Sequence, residues 1–122
     1  MKKTVYEDDF LREFRDCNRE DNFTFEGLRT LFDYLEQYEE DTGEEIELDV
    51  ISFCGDYSES TYLEFINDYD LEIEDYYEEG ETWEEALEED EERIIEILTD
   101  YIQYHTSLVG FTDKGTVIYQ VW

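Results

Sequence analysis

The chain has 122 residues, with 38 Asp and Glu against 8 Lys and Arg, a formal net charge of -30, and 40% hydrophobic and 17% aromatic content. So negative a chain is a poor partner for nucleic acid or an anionic membrane. Its 11 Tyr, 8 Phe and 2 Trp are more core material than a disordered acidic tail carries. No apolar targeting segment follows Met1, and no apolar run nears the ~20 residues of a membrane span. The reading is one domain over 1–122, in the cytoplasm of a bacterial host. Cys17 and Cys54 read there as reduced, half-buried thiols.

Thr4-Val5-Tyr6-Glu7 fits a capping box, in which the Thr hydroxyl accepts from the third helical N–H and the Glu reaches back. Tyr6, Phe10, Phe14 and Cys17 follow at helical spacing and predict a first helix ending near Asn18. Its basic cluster, Arg12, Arg15 and Arg19, is assigned to the protein's own acids. A second helix starts at the N-cap Thr24, with Phe23 and Leu28 as a hydrophobic staple. Phe25, Leu28, Leu31, Phe32, Leu35 and Tyr38 form its apolar stripe, and Gly43 is its stop. The last turn carries Glu39, Glu40 and Asp41, the wrong sign for the helix dipole.

Residues 46–50 alternate apolar and acidic, and 51–54 lose the alternation. Together they predict a strand over 46–54, wet on one face at first and then buried on both. Ser58 or Ser60 then caps a short helix that turns Tyr62, Leu63, Ile66 and Tyr69 inward. The segment 68–81 reads as a strand-like edge or an acidic loop. Thr82-Trp83-Glu84-Glu85 is a second capping box, followed by Trp83, Leu87, Ile94, Leu98 and Tyr101 at helical spacing. Asp90 and Glu91 interrupt that stripe, so the helix breaks there or its first half projects. From Leu108 to the end the pattern is a β-hairpin, with Gly115 as the left-handed turn residue. Pairing of this hairpin with the 46–54 strand gives an α+β fold, a three-stranded antiparallel sheet against about four helices.

Asn22-Phe23-Thr24-Phe25-Glu26-Gly27-Leu28, Leu31-Phe32-Asp33-Tyr34-Leu35-Glu36 and Thr42-Gly43-Glu44-Glu45-Ile46-Glu47-Leu48-Asp49-Val50 together carry a resemblance. Over residues 18–59 the chain resembles small acidic proteins encoded by bacteriophages and mobile elements. That family often has a second cysteine beside the position of Cys54. Here Phe53 and Gly55 flank it, so no paired-cysteine site carries over. The resemblance implies a phage or mobile-element context, in which small acidic proteins are often anti-restriction or anti-CRISPR inhibitors and some mimic DNA.

The charge itself points the same way. Residues 30–92 hold 27 Asp and Glu and no Lys or Arg, whereas ordinary surfaces intersperse both signs. Acids three or four apart on a helix lie about 5–6 Å apart along its axis, and alternate strand residues about 6.6–6.8 Å apart. Both spacings are comparable to that of successive phosphates. The expected partner-binding set is Asp68, Asp70, Glu72, Glu74, Asp75, Tyr76, Tyr77, Glu78, Glu79, Glu84, Glu85, Glu88, Glu89 and Glu92, with Glu36 and Glu40 on the second helix. Tyr76, Tyr77 and Trp83 are core residues or, where exposed, anchors for an interface. The expected partner is a basic nucleic-acid-binding protein, a Cas nuclease first and a restriction enzyme second. The alternatives are an acidic chaperone or antitoxin that shields a basic protein, and adaptation to high salt. Mutual repulsion favours a monomer over a dimer.

Chemistry beyond charge is sparse. Asp68, Asp70, Glu72 and Glu79 fall at positions 1, 3, 5 and 12 of a calcium loop, but Ile73 stands where the sharp turn needs Gly, so an EF-hand is rejected. His105 is the single histidine, and no nucleophile–base pattern, zinc spacing or phosphate loop is readable. The expectation is no enzyme, no cofactor and no metal.

Overall fold

The strand β3 (Thr116–Gln120) is buried along nearly its whole length, because it has a neighbour on each edge and helices over each face. The structure is a computed structural model that describes residues 6–16, 23–78 and 80–122. The expected capping box at Thr4, the helix end at Cys17 and Asn18, Arg19, Asn22 and the site residue Glu79 lie outside the described residues. Those described form a small α+β fold, with six α-helices and one three-stranded antiparallel sheet in the order β1-β3-β2.

Side chains alternate across β3 and sort the helices into two layers. Ile118 faces the layer of α1 (Glu7–Asp16), α2 (Phe25–Thr42) and α3 (Val50–Asp56). Val117 and Tyr119 face the layer of α4 (Tyr62–Asp68), α5 (Trp83–Glu89) and α6 (Glu91–His105). The first layer is centred on Phe10, Phe14, Leu31, Leu35 and Phe53, the second on Phe65, Ile94, Leu98 and Ile102. β2 (Leu108–Phe111) feeds both. A bulge between Leu108 and Gly110 leaves Leu108 opposite Tyr119 and Phe111 opposite Val117, both on the α4–α6 side. Val109 packs into the other layer, and Gly110, opposite Ile118, lets α2 approach so closely that a Cβ there would meet the Thr30 side chain at 2.8 Å.

The second helix follows its sequence signals. The Thr24 hydroxyl accepts from the Gly27 N–H at 2.9 Å, and Gly43, at φ 71°, donates its N–H to the Glu39 carbonyl at 2.8 Å. The predicted stripe is wider than the face that packs. Leu28, Leu31 and Leu35 are buried, while Phe25 and Tyr38 are exposed. Phe25 instead lies under the Arg29 guanidinium, 5.8 Å from its ring centroid.

The third strand of the sheet is not the predicted one. Residues 43–49 have no regular structure, and 50–56 are helical. Ile46 and Leu48 do pack inward, which produces the alternation, but they pack against the α1–α3 core without a strand partner. Asp49 caps α3 by accepting from the Ser52 N–H at 3.1 Å, and Val50 and Phe53, three apart, are its buried face. The strand that pairs with the hairpin is β1 (Tyr57–Thr61), with Tyr57 opposite Gln120 and Thr61 opposite Thr116. It occupies residues expected to open a helix. That helix begins later, at Tyr62, and its cap is Thr61 rather than Ser58 or Ser60. The Glu64 N–H donates to Thr61 Oγ1 at 3.2 Å, and the Thr61 N–H donates to Glu64 Oε1 at 3.0 Å, a complete capping box.

The long C-terminal helix breaks at Asp90. Its N–H donates to the Ala86 carbonyl and ends α5, and its carboxylate accepts from the Arg93 N–H at 3.2 Å and starts α6. The acid that interrupts the apolar stripe is the cap of the next helix. The α5 segment stays on the body, with Ala86 buried and Leu87 packed against the second core.

Candidate functional site

Of the 26 described acids in residues 30–92, 22 are exposed, and Glu36, Glu39, Glu59 and Glu81 are half-buried. Of the 22 exposed acids, 15 stand on helices or turns, and Glu44, Glu45, Glu47, Asp49, Glu72, Glu78 and Asp90 lie in segments without regular structure. Three ion pairs lie outside this run. Arg12 meets Asp9 at 3.8 Å, Arg29 meets Glu7, and Arg93 meets Glu96 at 3.2 Å. Arg12, Arg29 and Arg93 are thus engaged by acids of α1 and α6, as the clustering predicts for Arg12.

Glu59 is the exception that serves the fold. From β1 it turns toward the start of α2, where its carboxylate accepts from the Thr24 N–H and hydroxyl, both at 2.7 Å, and from the Thr116 hydroxyl. A carboxylate suits a helix N-terminus. It also occupies the space that a Cβ on residue 27 would take, which is why Gly27 is Gly.

Among the described residues, two acidic depressions lie mainly on this run. The first, about 620 Å³, lies along the C-terminal half of α2 and the loop after it. Asp33, Glu36, Gln37, Glu39, Glu40, Gly43, Glu44 and Glu45 line it. Glu39 draws the loop back by accepting from the Ile46 N–H at 2.7 Å. The acidic last turn that opposes the helix dipole thus anchors the loop that follows it.

The second, about 540 Å³, lies between α4, the turn after it and α5. Leu63, Ile66, Leu71 and Trp83 form apolar walls, and Glu64, Asn67, Asp70, Glu72 and Glu84 complete the lining. Trp83 organises this end of the molecule. Its indole N–H donates to the Leu71 carbonyl at 3.1 Å, and Tyr76 and Tyr77 each pack on it at 5.9 Å between centroids. Residues 69–78, 80 and 81 therefore form an acidic loop beside Trp83, with a single 3₁₀ turn at Ile73–Asp75 and Asp70 in the left-handed region at φ 52°. It is not a strand-like edge. Burial, helped by Asp75 for Tyr76 and by Asp90 for Tyr77, raises both phenol pKa values above the usual range.

The expected site residues divide accordingly. Asp70, Glu72 and Glu84 meet at the α4–α5 depression, and Glu36 and Glu40 line the α2 depression. Asp68, Glu74, Asp75 and Glu78 are exposed around the loop, and Glu85, Glu88, Glu89 and Glu92 are exposed on α5 and the start of α6. Tyr76 and Tyr77 are half-buried supports for Trp83, not free-standing anchors. Glu64 and Leu71 escaped the reading. The Thr61-x-x-Glu64 spacing is a capping-box signal that points to Glu64, whereas nothing in the sequence singles out Leu71. Among the described residues, no three or more His, Cys, Asp or Glu are grouped to hold a metal ion, and no helix is long and apolar enough to cross a membrane.

No protein-family model, curated protein or solved structure matches the chain.

Proposed function

We propose that this protein is a phage or mobile-element inhibitor of a nucleic-acid-binding defence enzyme, acting as an acidic DNA mimic that occupies the DNA channel. A Cas nuclease is the first target and a restriction enzyme the second. The observation that supports this reading most is the exposure of 22 acids, 15 of them on helices or turns, in a stretch that contains no Lys or Arg. Disordered acid would attract a basic protein equally well but would lose ordering entropy on binding. Carboxylates held at fixed positions by caps and packing replace phosphates at lower cost, and many weak pairs along a positive channel add. The protein acts by occupancy, one copy for each site blocked.

The test is DNA loading. Increasing inhibitor should displace a labelled target duplex from a purified Cas nuclease or restriction enzyme, and excess duplex should displace the inhibitor in turn. Saturating inhibitor that binds the nuclease and leaves DNA loading unchanged would sink the mimic reading. Equal binding to histone-like and other basic proteins would favour an acidic shield for a basic partner, with chaperone or antitoxin character.

A further inference from the structure

We infer that the depression between α4, the turn at 69–72 and α5 receives one arginine side chain of the basic partner, and so selects among the partners that charge alone attracts. The inference rests on the proposed partner being a nucleic-acid-binding protein. It differs from that proposal in naming one place and one chemical group.

Leu63, Ile66, Leu71 and Trp83 are apolar, yet they line an opening whose rim carries Glu64, Asp70, Glu72 and Glu84. An anion is repelled by that rim, and a wholly apolar ligand leaves four carboxylates beside it desolvated. A bare cation gains nothing from the walls. A side chain with an aliphatic stem and a charged end satisfies both parts.

Arginine fits better than lysine for two reasons. Its planar guanidinium is weakly hydrated and stacks on an indole, whereas the lysine ammonium is compact and strongly hydrated. Its fork of donors also engages carboxylates two at a time. Trp83 is fixed for this task by its bond to the Leu71 carbonyl and by the flanking Tyr76 and Tyr77. A second copy of this chain is a poor occupant. Its net charge is -30, and Arg12, Arg29 and Arg93 are engaged by its own acids. The α2 depression has no apolar residue in its lining, and its carbon surface is the stems of Gln37 and the acids, with Gly43. It attracts cations without distinguishing their stems.

The experiment titrates the full chain with tetra-arginine, tetra-lysine and tetra-citrulline peptides, followed by NMR. The Trp122→Phe variant assigns the two indole N–H signals. Tetra-arginine is expected to move the Trp83 indole and the Leu63 and Leu71 methyl signals, several-fold more tightly than tetra-lysine, with tetra-citrulline silent. Glu72→Gln with Glu84→Gln should weaken tetra-arginine about tenfold. Asp8→Asn with Asp16→Asn, which removes the same charge from α1, should weaken it less than twofold. Equal response to arginine and lysine, or equal loss in both double variants, would overturn the inference. DNA loading separates the two proposals. Peptide bound at Trp83 with DNA loading untouched removes the mimic and keeps the site. Full inhibition by Glu72→Gln with Glu84→Gln removes the site and keeps the mimic.

Discussion

The two helical layers on either side of β3 carry charge of the same sign, but they differ in what lies beneath it. Under the acids of α2 the core is closed. Phe10 packs against Phe14, Phe32 and Phe53 at centroid distances of 5.0 to 6.1 Å, and these apolar side chains do not line the outer depression. On the α4–α6 side, Leu63, Ile66, Leu71 and Trp83 line the groove between the acids. Under the proposed function, negative charge would steer a basic partner to either layer, and the α4–α5 groove would add an apolar-walled contact that the α2 depression lacks. A highly charged surface is thus not uniform in what it can recognise.

Core truncation is the largest perturbation that can break this comparison. Phe10→Ala and Phe65→Ala should each destabilise by about 3–5 kcal/mol, because both rings are fully buried. Chemical denaturation should show one transition in each case, since β3 is common to both cores. Two separated transitions would mean that the layers fold independently. The next largest effect concerns how each layer's helix is started. Glu59→Ala strips the acceptor from the Thr24 N–H and the Thr24 and Thr116 hydroxyls and should cost about 2 kcal/mol. Thr61→Ala removes the α4 capping box and should cost about 1 kcal/mol. Equal losses would show that Glu59 adds nothing beyond an ordinary cap.

Titration gives finer comparisons. Burial raises the Tyr57 phenol, which packs against the first layer's core, to about 12, and burial with the Tyr119 hydroxyl raises Tyr69 in the second. Each folded value exceeds the unfolded value near 10. The stability these groups contribute is therefore complete below about pH 10 and is lost as pH rises through the folded values. Phenolate absorbance should lag in the folded protein, and alkaline unfolding should set in between about pH 10 and 12. The smallest effect is acidic. The Thr61 N–H and hydroxyl hold the Glu64 carboxyl below its ordinary value. Its contribution is present above the usual carboxylate range and is lost as pH falls through the lowered value. The melting-temperature gap between Glu64→Ala and the parent protein should narrow as pH falls through that value.

Elements with local chemical punctuation were legible. The caps at Thr24 and Thr82, the stop at Gly43, the turn at Gly115 and the break at Asp90 each show in a few adjacent residues and stand where expected. β1 was not legible, because its inward positions include Glu59, whose partners Thr24 and Thr116 are 35 and 57 residues away. No pattern over five residues carries that information. The strand expected over 46–54 failed for the opposite reason. Its alternation is real, but Ile46 and Leu48 pack without a ladder, and the change to helical spacing at Val50 and Phe53 is too short to register. Of the candidate site, the acidic surface could be read from composition. The apolar walls that distinguish one acidic groove from the other could not, because they depend on how the turn at 69–72 meets Trp83.

The bulge in β2 makes chain length negotiable at one point in the sheet. Leu108 and Phe111 already face the same layer with two residues between them, and Gly110 already stands opposite Ile118. Deleting Val109 therefore leaves every other side chain of the hairpin on its present face and removes only the packing of one valine. The same deletion inside β3 would reverse the facing of the residues beyond it and exchange the two cores' contacts. A single added residue thus separates a strand that tolerates a change of length from one that does not.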